Sequence, residues 1–291
     1  MHKSYNIPFL SFKTHCDVYG DLKKSIPLII LHGGPGGCSQ RYEPLTLLEN
    51  RGFAVILYDQ LGSGYSKVSG EHYDLWNVDT FMDELENLIN FFNIKQYYLL
   101  GHSWGGMLAL SFVLKRKHTG LKKLILFSTL PSTKIWNEEH LKMVDSFPKE
   151  EKEILLESVK KDVSKNKIYK KAVNRFYVNH VKRTISDESY KFKRKKFPKL
   201  FKQVYNYMWG PNELFGTGTL LDYNVEDELK NIDVKTLILS GELDESSPRM
   251  NKLMEERIPS SRWVCFKDCH HSSYVEKYEL VLSTIEEFLK N

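Results

Sequence analysis

The chain has little of what several protein classes require. Its four cysteines, Cys16, Cys38, Cys265 and Cys269, are too few and too scattered for a disulfide framework. Cys265 and Cys269 stand close together, but nothing upstream completes a zinc-like ligand set. Reduced thiols in a cytoplasmic protein are therefore expected. No apolar run approaches the roughly 18–20 residues that cross a bilayer, so no membrane partner is expected. Residues 1–20 lack a basic start, an apolar stretch and a small-residue cleavage site, so no secretory signal is read there. Internal repeats and low-complexity tracts are missing too. Charge of one sign is also short: 42 Lys and Arg against 37 Asp and Glu leave a net +5. Much of that excess lies in one run, Lys191, Lys193, Arg194, Lys195, Lys196 and Lys199, interleaved with Tyr190, Phe192 and Phe197. Such a run reads as a solvated helix face, and no nucleic-acid partner is expected.

What is present suits a globular core, with 41% hydrophobic and 27% charged residues in 291. Short apolar runs occur at 27–31 (PLIIL), 53–58 (FAVILY), 97–100 (YYLL), 124–127 (LILF), 236–239 (TLIL) and 262–266 (RWVCF). They are apolar without alternation, as expected of strands covered on both faces of a parallel sheet. Helical patterns separate them at 80–92, 105–117 and 274–289, the first with Asp79 or Thr80 as its cap. Strand–helix alternation predicts an α/β fold with a mostly parallel central sheet and helices on both faces. The first twenty residues read as an antiparallel lead-in. Alternation breaks after Leu130. Residues 131–218 carry no convincing strand, but Lys, Glu and spaced aromatics such as Phe176 and Tyr177. This predicts a helical cap insertion at 131–218 in a core made of 1–130 and 219–291. Such an insertion would overlie the crevice at the strands' C-terminal ends.

The chemistry concentrates at those strand ends. Gly101-His102-Ser103-Trp104-Gly105 follows a strand and precedes a helix. A bare G-x-S-x-G is weak, but in this context it is what a nucleophile elbow needs, with Ser103 on a tight turn above the sheet. Gly106 lets the following helix pack closely. A tetrahedral intermediate needs amide donors for its oxyanion. The Trp104 N–H supplies one. Gly34, in His32-Gly33-Gly34-Pro35-Gly36 after the PLIIL strand, is the candidate for the second. That loop is neither G-x-G-x-x-G nor a P-loop with its lysine. An acid and a histidine should follow in that order: Asp244 comes after the 236–239 strand, and His270 or His271 after the last. Asp59, in a loop with two glycines and no base nearby, reads as a structural turn, and Cys269 has no elbow to carry it.

Together HGGPGG at 32–37, YDQLGSG at 58–64 and GHSWGG at 101–106 resemble the proline iminopeptidase (prolyl aminopeptidase) family of α/β-hydrolases over essentially the whole chain. The resemblance aligns His271, rather than His270, with the catalytic histidine, although Asp268 stands where a glycine is common. It also implies substrate roles for two glutamates. Glu213 lies in Trp209-Gly210-Pro211-Asn212-Glu213, similar to a G-P-N-E element, and Glu245 ends Gly241-Glu242-Leu243-Asp244-Glu245, similar to G-E-x-D-E. In that family both hold the substrate's free α-amino group, and a cationic amine does need anionic partners. The implied activity is a metal-free, cofactor-free serine aminopeptidase releasing an N-terminal residue, preferentially proline, from short peptides. An esterase, lactonase or amidase on the same scaffold stays open, as does a non-catalytic binding protein.

Overall fold

The computed structural model describes residues 2–181 and 197–291. Of the basic run and its aromatics only Phe197 and Lys199 are described, both exposed; the rest lies outside the described residues. The strands are β1 (His2–Phe9), β2 (Phe12–Tyr19), β3 (Pro27–Leu31), β4 (Ala54–Tyr58), β5 (Tyr97–His102), β6 (Leu121–Phe127), β7 (Thr236–Gly241) and β8 (Ser261–Phe266). They form one sheet in the order β1-β2-β4-β3-β5-β6-β7-β8. β1 and β2 pair antiparallel, as does β2 with β4, and every pairing from β4 onward is parallel.

The helices are α1 (Val78–Phe91), α2 (Trp104–Lys115), α3 (Thr133–Val144), α4 (Lys149–Glu157), α5 (Lys167–Phe176), α6 (Lys202–Met208), α7 (Pro248–Arg257), α8 (Ser273–Glu276) and α9 (Tyr278–Lys290). Two apolar cores explain the unbroken hydrophobic runs. Ile29, Leu31, Ile56, Leu99 and Leu126 face one side, under α1, α2 and α7. Leu28, Ile30, Val55, Leu100 and Ile125 face the other, under α9 and the 3-10 turns of Ser39–Arg51. Alternate residues of β3 to β7 thus enter different cores, at about 1.5–3 kcal/mol per large side chain buried. The 262–266 run, expected to be covered on both faces, is instead the edge strand β8, buried only at Phe266.

Two local expectations change. Asn77, not Asp79 or Thr80, caps α1: in extended conformation, its side chain accepts the Thr80 N–H at 2.9 Å. The single helix expected over 274–289 is two, α8 and α9, divided at Lys277. The short α8 holds Tyr274 stacked on Tyr42, with ring centroids 5.0 Å apart.

Between β6 and β7 the described residues form α3 to α6 and a π-type turn at Tyr177–Val181, and no strand. The chain leaves and returns at one place. Thr133 N–H donates to the Tyr223 carbonyl, and Val225 N–H to the Pro131 carbonyl, each at 2.9 Å. This segment has its own apolar cluster, including Val144, Leu155, Ala172, Phe176 and Leu214.

Candidate active site

Ser103 stands between β5 and α2 with φ 55° and ψ −124°, a conformation that costs a non-glycine residue on the order of 1–3 kcal/mol. Its surroundings impose the turn. A Cβ on Gly101 would come 2.2 Å from the Gly105 carbonyl oxygen, and one on Gly105 2.1 Å from that of Leu31. No other residue type allows β3, β5 and α2 to converge so closely. The Ser103 N–H donates to the Phe127 carbonyl at 2.9 Å, anchoring the turn to β6.

Asp244 follows β7, and His271 lies in the loop after β8. Asp244 Oδ1 is 2.8 Å from His271 Nδ1. The carboxylate also accepts Ser128 Oγ–H at 2.5 Å and the Ser246 N–H at 2.9 Å. Burial alone would raise its pKa, but the facing His271 and these donors hold it below the ordinary value. Thr129, beside Ser128, donates its hydroxyl to the Ser103 carbonyl at 2.7 Å. One dipeptide after β6 thus ties Ser103 to Asp244. His270 turns away: its N–H donates to Glu276 Oε2 at 2.9 Å. The helical segment also reaches the histidine loop, because the His271 N–H donates to the His180 carbonyl at 3.0 Å.

The loop carrying Gly34 and the turn carrying Trp104 are joined by side chains that no motif singles out. Gly33 N–H donates to Tyr42 Oη at 2.8 Å. Tyr42 Oη in turn donates to His102 Nδ1 at 2.9 Å, and His102 Nε2 donates to the His271 carbonyl at 3.0 Å. This assigns His102 a single neutral tautomer, consistent with burial, which pushes its pKa down to about 3. With the Gly33 amide engaged, Gly34 remains the donor candidate in this loop. Gln60 makes the second link. Its Nε2 donates to the His32 carbonyl at 3.0 Å, and its Oε1 accepts Trp104 Nε1–H at 2.8 Å. Trp104 opens α2, so its own backbone amide is one of the helix's first, without an intrahelical acceptor. Asp59 accepts the Ser39 and Tyr65 amides at 2.7 and 2.8 Å, a loop-holding role.

Glu245 is fully buried, and neither carboxylate oxygen has a hydrogen-bond partner among the described residues. Its Oε1 lies 3.4 Å from His271 Nε2, and its Oε2 3.9 Å from Nε2 of the buried His140. Burial pushes the Glu245 pKa well above the usual range, opposed by His271. For His271 burial works downward, but Glu245 and Asp244 outweigh it and raise the pKa to about 9. Glu213 accepts the Tyr205 hydroxyl at 2.8 Å, and its charge acts on both Glu245 and His271. Among the described residues no three His, Cys, Asp or Glu side chains gather as a metal ion would need, and no helix is long and apolar enough to cross a membrane.

The comparisons agree with this fold. The alpha/beta hydrolase fold family matches residues 26–278. A proline iminopeptidase of Clostridioides difficile (strain 630) is 35% identical over 284 residues, covering 97% of this chain and 96% of the relative. The chain belongs to the proline iminopeptidase family of α/β-hydrolases. Among solved structures, VinJ matches with a TM-score of 0.88 at 32% identity, and the proline iminopeptidase of Mycobacterium smegmatis with 0.85 at 28%. Each comparison covers 99% of this chain and 98% of the other. Ser103, Asp244 and His271 stand just after β5, β7 and β8, at the strand ends where the sequence placed them. Tyr42, Gln60, Ser128, Thr129 and His180 escape sequence reasoning. They make contacts between segments distant in the chain, and only the resemblance draws attention to Glu213 and Glu245.

Proposed function

We propose that the protein is a serine aminopeptidase that releases an N-terminal residue, preferentially proline, from short peptides. The observation that carries this is Glu245. A fully buried carboxylate beside a histidine and near Glu213, with neither oxygen hydrogen-bonded among the described residues, is costly unless a multivalent cationic donor joins it. A substrate α-ammonium is such a donor. Curated relatives named proline iminopeptidase support the same reading.

In the proposed reaction the ammonium docks on Glu213 and Glu245, which places the first carbonyl over Ser103. Ser103 Oγ attacks the carbonyl carbon as His271 Nε2 takes the hydroxyl proton, and Asp244 fixes the imidazole tautomer and stabilises the imidazolium. The Gly34 and Trp104 amides hold the oxyanion. Collapse breaks the peptide bond, and His271 delivers its proton to the departing amine. Water then adds to the acyl-enzyme with His271 as base, freeing the residue and regenerating Ser103. No metal or cofactor enters the scheme. Residues 131–218 are proposed as a helical cap on a core of 1–130 and 219–291; the meeting of its ends near Pro131 and Val225 and its separate apolar cluster support this. A cytoplasmic location belongs to the same proposal, supported by four free cysteines.

Aminoacyl arylamides, each with a free and an acetylated amine, test the reaction type. Prolyl arylamide should be cleaved and its acetylated form should not. Cleavage of simple acyl esters without cleavage of any free-amine arylamide would sink the proposal.

A further inference from the structure

His140 occupies a place that the two-glutamate scheme leaves unused. It sits on α3, and its Nδ1 lies 2.8 Å from the Trp136 carbonyl one turn earlier. A carbonyl only accepts, so Nδ1 carries the hydrogen, and Nε2 of the neutral ring is a lone pair. The ring is held between Trp136 and Phe176, with centroids 4.1 and 5.2 Å away. That packing fixes where the lone pair points. Nε2 faces Glu245 Oε2 at 3.9 Å, too long for a hydrogen bond between them. Neither atom has a hydrogen-bond partner among the described residues, and both side chains are fully buried. Burial keeps the imidazole neutral, its pKa pushed down to about 3.

The gap of 3.9 Å suits one nitrogen placed about 2.9 Å from both acceptors. The count of N–H groups then matters. An N-terminal proline, as a secondary ammonium, has two N–H bonds, and two carboxylates satisfy it. Every other N-terminal residue is a primary ammonium with three. We propose that His140 Nε2 accepts the third N–H of a primary α-ammonium, so that the site takes peptides beginning with residues other than proline. This rests on the aminopeptidase function proposed above. His140 is then a specificity-determining residue, felt by primary amines and nearly silent for proline. The competing account is a purely structural imidazole packed on Trp136 and Phe176.

Two substitutions separate the accounts. His140→Asn keeps a donor near the Nδ1 position and removes the Nε2 acceptor. His140→Gln places an amide oxygen near Nε2. The measurement is kcat/KM on alanyl and prolyl p-nitroanilides, normalised to fluorophosphonate labelling of Ser103. With Asn the alanyl-to-prolyl ratio should fall about tenfold or more, the worth of one hydrogen bond at a charged group, and Gln should restore most of it. An unchanged ratio, or equal loss on both substrates, overturns the proposal. The wild-type protein gives an independent check without any variant. N-methylalanyl p-nitroanilide keeps the alanyl side chain but has two N–H bonds, and should be cleaved about tenfold less well than the alanyl compound; equal rates count against His140. If wild type cleaves neither alanyl nor prolyl compound, the aminopeptidase function itself fails, a result distinct from an unchanged ratio.

Discussion

Glu245 Oε1 lies 3.4 Å from His271 Nε2, the nitrogen proposed to accept the Ser103 proton. In the free protein the neighbouring Glu245 and Asp244 outweigh burial and keep the His271 pKa high, at about 9. The imidazolium proton has to leave before His271 can serve as a base, so kcat/KM should rise as pH rises toward that value. A bound ammonium offsets the pull of Glu245 and brings His271 down. The acid limb of kcat should therefore lie at lower pH than the acid limb of kcat/KM on the same free-amine arylamide; coincident limbs would remove Glu245 from this role. Glu245→Gln gives a paired outcome. Turnover of prolyl arylamide should fall about a hundredfold or more, the cost of losing a buried charged partner. Fluorophosphonate labelling of Ser103 near pH 7, which needs no amine, should become faster.

At the scale of single elements, legibility followed burial. β3, β4, β5 and β7 are buried at every position, and their sequences read as strands because no solvent face dilutes them. The start of α1 was harder, because Asn77, Asp79 and Thr80 are all plausible caps by residue type. Only the extended backbone of Asn77 decides among them. Asn77→Ala should cost about 1 kcal/mol and lower the thermal midpoint by about 2–4 °C, with arylamide turnover unchanged. A midpoint within error of wild type would show that the cap adds nothing. The division of α8 from α9 was invisible in sequence, since Lys277 is a good helix former; at the break its backbone is non-helical (φ −131°, ψ 51°), and α8 packs Tyr274 on Tyr42, far away in the chain. Tyr42 and Gln60 were illegible for the same reason. Each is ordinary locally and gains its contacts only when the topology brings separate strand ends together.

At the scale of the whole molecule, Glu84 sets a pH dependence of folding. It leaves α1 into the first core, accepts the Thr14 hydroxyl from β2 and takes the Leu61 N–H at 2.9 Å. Burial pushes its pKa from the ordinary 4.5 up to about 8. The folded state therefore binds its proton more tightly than the unfolded chain. Its contribution is fully present below about pH 4.5 and is lost as pH rises through 8. The full shift corresponds to on the order of 4 kcal/mol. Glu84→Gln keeps an acceptor for Leu61 and offers a donor to Thr14. Denaturant unfolding at pH 5 and pH 8.5 should show wild type losing about 2–4 kcal/mol more than the variant. Equal losses would mean that Glu84 finds water in the folded state.

One backbone contact constrains how such a molecule can be altered. The His271 N–H is held by the carbonyl of His180, a residue of the segment between β6 and β7. That segment is thus not an interchangeable accessory. Grafting in a relative's version, to import a different substrate preference, also replaces a peptide group that holds the loop of His271, the proposed general base. A graft that leaves no carbonyl at this spot would yield a folded protein that binds its new substrate and turns it over slowly. The unit to transplant is the segment together with the histidine loop it grips.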